Sequence, residues 1–229
     1  MKTAIFIKTY KDDLKWLGYC LESIKKYGSG ISEVVIAADE DCKEFMQIFV
    51  HEVRVVYVPA WRNGYIQQQF VKLHADQYTN AEQILFVDSD CVFHTPFTPE
   101  SYMRDGKPVL LKTRYGNLGG GEAWKRITES FVGWPVEFEY MRRLPWMYRR
   151  QSLINFRAMF PTLEDRLRSL ETPSFSEYNA LGAYIDKFEH DEYYVSDTEV
   201  WMPESVAHQF WSWSGLDNED KKKIEGYLK

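Results

Sequence analysis

The feature that most limits what this chain can fold into is an alternation between Thr3 and Val87. Short apolar runs are separated there by segments of helical periodicity. Thr3-Ala4-Ile5-Phe6-Ile7 is apolar without polar alternation, which predicts a strand buried on both faces. From Lys11 to Tyr27 the apolar residues Leu14, Leu17, Leu21 and Ile24 recur at helical spacing, and Gly28-Ser29-Gly30 stops the pattern. Val34 to Ala38 is a second strand, followed by a short helix around Lys43 to Phe49. Val53 to Val58 is a third strand, closed by Pro59. A second strong helix runs from Tyr65 to Tyr78, and Gln83 to Val87 is a fourth strand. Strands alternating with helices at this spacing predict an α/β fold with a doubly wound, mostly parallel sheet.

The regularity falls after Asp90. A strand at Pro108 to Leu111 leads into the loop Gly116 to Gly121. Helical patterns follow at Glu122–Phe131, Leu163–Leu170 and Glu177–Phe188, with a charged, solvent-facing helix at Asp217–Lys229. With 229 residues and no dividing linker, the chain reads as one domain with two halves, 1–115 and 116–229, the second an irregular helical half laid on the same sheet. A net charge of −6 argues against a surface coated for non-specific nucleic-acid binding, though not against a local basic patch. No apolar run is long enough to span a bilayer, and Met1-Lys2-Thr3-Ala4 leads straight into a strand, so no signal peptide is expected. Three cysteines, Cys20, Cys42 and Cys91, have neither metal-ligand nor redox spacing; reduced thiols and a cytoplasmic location are expected.

Chemistry concentrates at Ile84-Leu85-Phe86-Val87-Asp88-Ser89-Asp90. In an open parallel sheet, ligands bind beyond the carboxyl ends of the strands. Residues two apart on an extended chain can reach one cation together, so Asp88 and Asp90 are candidate ligands for Mn2+ or Mg2+, both partial to hard oxygen donors. The plain alternative is a pair of aspartates capping a turn. Gly119-Gly120-Gly121 lacks the Lys-Ser/Thr of a P-loop, which excludes an NTPase of that type.

Gly64-Tyr65, the helix Gln68-Gln69-Phe70-Val71-Lys72-Leu73, Asp88-Ser89-Asp90, Phe175-Ser176-Glu177-Tyr178 and Trp211-Ser212-Trp213 together cover most of the chain. In that combination it resembles the GT-A glycosyltransferases, and more closely a group of small bacterial and phage glycosyltransferase-like proteins. The resemblance implies transfer of a sugar from a nucleotide-sugar, a UDP-sugar being expected, with the cation neutralising the diphosphate leaving group. It implies that Thr9 and Tyr10, ending the first strand, receive the base and ribose, and that the Asp39 carboxylate meets them; Asp39 could equally cap a helix. Tyr65, Gln68 and Lys72 share one helical face that would contact the donor, unless that face is simply solvated. His208 is the third metal ligand that the resemblance suggests, with His94 a rival; either could equally be structural. Glu177 is the candidate general base, or a first-turn residue behind a Ser176 cap.

The acceptor is the open question. Arg142, Arg143, Trp146, Arg149 and Arg150, with Arg157 beyond, interleave cations and rings, as a polyanionic, base-bearing acceptor requires. A hydroxymethylated pyrimidine in phage DNA, flipped out to reach the sugar, is therefore expected over a surface glycan or lipid-linked saccharide. Arginines paired with acidic neighbours are the plain alternative. Rival classes are a nucleotidyltransferase on the same sheet, a haloacid dehalogenase-type phosphatase, and a non-catalytic sugar- or nucleic-acid-binding relative. The phosphatase normally carries its acidic motif after the first core strand.

Overall fold

A computed structural model describes residues 1–49, 53–141, 145–170 and 175–229. The strands are β1 (Thr3–Thr9), β2 (Glu33–Asp39), β3 (Arg54–Val58), β4 (Gln83–Phe86), β5 (Cys91–Phe93), β6 (Met103–Arg104), β7 (Lys107–Arg114), β8 (Phe138–Glu139), β9 (Trp146–Arg149), β10 (Tyr194–Asp197) and β11 (Ala207–Gln209). The helices are α1 (Leu14–Tyr27), α2 (Gly64–Leu73), α3 (Glu122–Val132), α4 (Arg150–Met159), α5 (Leu163–Arg168), α6 (Glu177–Phe188) and α7 (Asn218–Leu228).

The main sheet runs β3-β2-β1-β4-β9. Its first four strands are parallel, and β9 lies antiparallel on β4, with Phe86 opposite Trp146 and Gln83 opposite Arg149. The fold is α/β, with a mixed sheet whose parallel strands are flanked by helices. Side chains alternate across the sheet, and each face has its own core. Phe6, Val35, Ala37, Ile84 and Phe86 point to the side covered by residues of α2, α4 and α6. Ile5, Ile7, Ile36, Ala38 and Leu85 point to the side covered by α1 and by Phe93 and Phe97. Both faces being buried explains why these strands read as unbroken apolar runs.

The second half adds a smaller sheet, β10-β7-β6 with β8 on the far end of β7, and a two-stranded β11-β5 pair. Helix α2 is shorter than expected, ending at Leu73 before a separate turn at Ala75–Gln77. The segment Lys43–Phe49 holds a short 3-10 turn, Phe45–Ile48. Strand β9 and helix α4 occupy the stretch read from sequence as an arginine-aromatic patch. No helix among the described residues is long and apolar enough to cross a membrane.

Helix α6 carries the most demanding packing. A Cβ added at Gly182 would sit 2.4 Å from the Tyr140 ring. Gly182→Ala is therefore expected to destabilise by about 1–3 kcal/mol through overpacking, although alanine ordinarily favours a helix interior. Urea denaturation tests this; a stabilised variant would show that α6 does not approach Tyr140 so closely.

Candidate functional site

Strand β1 is flanked by β2 and β4, because the chain first winds outward through β3 and then returns to the other side of β1. The switch point is thus the crevice between the carboxyl ends of β1 and β4, where such sheets take ligands. Asp88 lies two residues beyond the end of β4 there. Asp39 ends β2, and Thr9 ends β1.

Lys72 is the centre of the crevice. Helical spacing puts Tyr65, Gln68, Gln69 and Lys72 on the face of α2 that lines it. Asn63 fixes the start of that helix, its side chain accepting from the Ile66 amide (3.2 Å). The Lys72 ammonium donates to Asp88 Oδ1 (2.6 Å) and to the Tyr178 hydroxyl (3.0 Å), and lies 3.1 Å from Glu177 Oε1. Its side chain is only 2% exposed. Burial pulls its pKa down, but Asp88 and Glu177 beside it more than reverse this and hold it well above the ordinary value. Glu177 is pushed up by burial, against the pull of Lys72, and its Oε1 has no hydrogen-bond partner of good geometry. Ser176 accepts from the Asn179 amide (3.4 Å), and the Glu177 amide donates to Gln69 Oε1 (2.9 Å). Glu177 is thus both a first-turn residue behind a serine cap and a buried partner of Lys72; the two readings coexist.

Asp90 is buried and held differently. Its Oδ2 accepts from the Ser212 amide (2.9 Å), its backbone oxygen from Phe210 N (3.0 Å), and Gln209 Nε2 lies 3.5 Å from Oδ1. The loop after β11 therefore hangs on Asp90. Ser89, between the two acids, donates to the buried Asp13 carboxylate (2.7 Å). Burial, then Asp88, pushes Asp90 up from 3.8 to about 6. A carboxyl raised on folding binds protons more tightly in the folded state, so its contribution to stability grows as pH falls through about 6 and is lost as pH rises. Lowering the pH from about 7 to about 5 is expected to add roughly 1 kcal/mol from this group, or about 2–4 °C in Tm. Asp90→Asn should remove that increment; the same Tm difference between the two pH values in the variant would refute it.

Asp88 and Asp90 offer carboxylate oxygens, the donor type that a hard divalent cation takes. Asp88 and Glu177 share Lys72, while among the described residues no cation faces Asp90 or Asp13. The surplus of negative charge, carried by hard oxygens, suits Mg2+ or Mn2+. Asp88 is 19% exposed toward the cleft. Among the described residues no third His, Cys, Asp or Glu completes a metal-holding group. His208 in particular is not brought to the pair. Neighbouring residues on a strand face opposite ways, so with Gln209 turned to Asp90, His208 packs against Phe210 and lies 3.2 Å from the Lys223 ammonium. Burial and Lys223 both lower its pKa. His94 stacks near Tyr227, beside α7.

The cleft is open to solvent with a volume of about 450 Å³, and its aromatic lining includes Tyr65, Trp124, Trp146, Tyr178, Trp211 and Trp213. Tyr65 donates its hydroxyl to the Phe175 carbonyl (2.6 Å), tying α2 to the start of α6. Trp146 stacks on Tyr178 with ring centroids 4.1 Å apart. Asp39 takes Lys8 Nζ (2.8 Å) and Gln67 Nε2 (2.7 Å) on one oxygen, so the expected contact at the end of β2 is a carboxylate braced from two sides. Thr9 is buried with its hydroxyl unpartnered, and Tyr10 stands exposed beside it.

The arginines are placed elsewhere. Arg149 pairs with Glu192, Arg150 Nε donates to the carbonyls of Asp76 (3.2 Å) and Thr79 (3.0 Å), and Arg157 clamps Asp76 and the Leu73 carbonyl. None of the three lines the cleft, because β9 and α4 point them at neighbouring elements. Arg142 and Arg143 lie outside the described residues. Among the described residues assigned to the acceptor, Trp146 alone lines the cleft. Sequence reasoning missed Asp13, Lys8, Gln67, Gln69, Tyr178, Gln209 and Glu139 as site residues. The Gln-rich start of α2 and the Tyr beside Glu177 were the available signals. No family model matches the chain, and no curated protein sequence matches it either.

Proposed function

We propose that the chain is a metal-dependent glycosyltransferase of the GT-A type, moving a sugar from a nucleotide-sugar, a UDP-sugar by preference, to a hydroxyl acceptor. The observation that carries this reading is the convergence of Asp88, Lys72 and Glu177 on one aromatic-walled cleft at the switch point of the sheet, with Asp90 buried just behind it and bonded to the loop that carries Trp211. Asp88 and Asp90 would hold Mn2+ or Mg2+, which supplies charge neutralisation for a diphosphate leaving group. Lys72 places a second positive charge beside it. Thr9, Tyr10 and the braced Asp39 carboxylate form the nucleoside end, on the neighbouring strand ends of the same edge.

Glu177 is the candidate base. It lines the cleft, burial favours its proton-bound form, and Oε1 lacks a hydrogen-bond donor of good geometry. Glu139, also buried, lines the same cleft. Comparing kcat for Glu177→Gln and Glu139→Gln assigns the base to the one whose loss is larger. A hydrolysis screen over UDP- and GDP-sugars with Mn2+ or Mg2+ tests the reading as a whole. At least one donor should be cleaved, and chelation should abolish cleavage. If no nucleotide-sugar is bound or turned over, the transferase reading fails.

A further inference from the structure

The loop after β11 exposes what a soluble chain ordinarily hides. Trp211 is 57% exposed and Trp213 is 81% exposed, and both line the cleft with the half-buried Trp124. Trp211 also adopts φ 56°, a left-handed conformation that costs a bulky residue on the order of 1 kcal/mol or more. Such strain persists only where surrounding contacts enforce it. Here they are the bonds from Phe210 N and Ser212 N to Asp90, on either side of the strained residue. Two exposed rings are therefore held at the mouth of the cleft at a cost in backbone energy and solvation.

The chemistry around the rings selects among ligands that stack. Nucleobases and sugar rings both pack on indole, but a nucleic acid also brings phosphates. The described polar lining offers carboxylates at Asp88, Glu139 and Glu177 and amides at Gln68, Gln69 and Gln209, and its ammonium, Lys72, is engaged by acids. Arg149, Arg150 and Arg157, which could have met phosphates, are committed elsewhere. Carboxylates accept from hydroxyl groups and repel phosphates not neutralised by a cation, and amides serve hydroxyl groups as donors and acceptors. We infer that the acceptor is a neutral saccharide seated on Trp211 and Trp213. This rests on the transferase reading for its meaning, though saccharide binding itself does not require a donor.

The test is binding of the full chain, without donor, to an array of neutral oligosaccharides, acidic oligosaccharides, and single- and double-stranded DNA. Trp211→Gly keeps the left-handed backbone accessible, so Trp211→Gly/Trp213→Ala removes both rings with little strain. Circular dichroism confirms that the double variant is folded. Retention of neutral saccharides, weakened at least tenfold in the double variant, is the expected result. Three outcomes overturn the proposal: no saccharide retained, saccharides retained equally by the folded variant, or DNA retained through the same tryptophans. The donor-hydrolysis screen reads the transferase claim separately. Saccharide binding with no nucleotide-sugar turnover would sink that claim and leave a saccharide-binding cleft; turnover without saccharide binding would do the reverse.

Discussion

Replacing Lys72 with methionine is expected to destabilise the fold by about 3–5 kcal/mol, because it strands the buried Glu177 and the partly buried Asp88 carboxylates, which share one ammonium. The side chain of Glu177 is 4% exposed and that of Lys72 2%, so water cannot take the place of the lost cation. Asp88, at 19%, can recover part of its solvation. Glu177 should respond by holding its proton, which makes the penalty smaller at low pH than above neutrality. Lys72→Met/Glu177→Gln should regain part of the stability, because the stranded charge is then gone. Urea denaturation of the four proteins in this cycle gives the coupling directly. A Lys72→Met variant within about 1 kcal/mol of wild type would mean that the triad is not buried as described.

The second large effect separates function from stability. Under the transferase reading, Asp90→Asn is expected to lower kcat by about a thousandfold, the equivalent of roughly 4 kcal/mol of cation-derived stabilisation. The same substitution removes a buried carboxylate that resists ionisation, so the metal-free variant should be at least as stable as wild type near neutral pH. Asp88→Asn should lose comparable activity and also lose stability, since it takes a charge from Lys72. A residue kept for structure would not behave as Asp90 should. If Asp90→Asn is destabilised and still active, Asp90 is only the peg on which Ser212 hangs.

The first half of the molecule was legible because its information is local. Unbroken apolar runs marked β1, β2 and β4, and helical spacing marked α1. The four-residue interval from Gln68 to Lys72 marked the face of α2 that lines the cleft. The strand-end position of Asp88 followed from the same pattern. What escaped depends on partners far apart in sequence. Trp146 to Arg149 became a sheet strand because it pairs with Gln83 to Phe86, and nothing in Trp-Met-Tyr-Arg announces that partner. Of the arginines that resembled a polyanion site, Arg149 is taken by Glu192, Arg157 by Asp76, and Arg150 by the Asp76 and Thr79 carbonyls, partners that only the folded chain brings close. His208 faces away from the acidic pair because of its register against Val92. Asp13 and Tyr178 join the crevice by the same non-local route.

Under the proposed function, Asp88 and Asp90 bind a nucleoside diphosphate through a divalent cation. Calorimetric titration of the chain with UDP and with GDP, each with Mn2+ and with chelator, measures it most directly. At least one of them is expected to bind in Mn2+, with affinity weakened at least tenfold by chelation and absent in both Asp88→Asn and Asp90→Asn. Binding of equal strength without the cation, or no binding of either nucleotide, would contradict it.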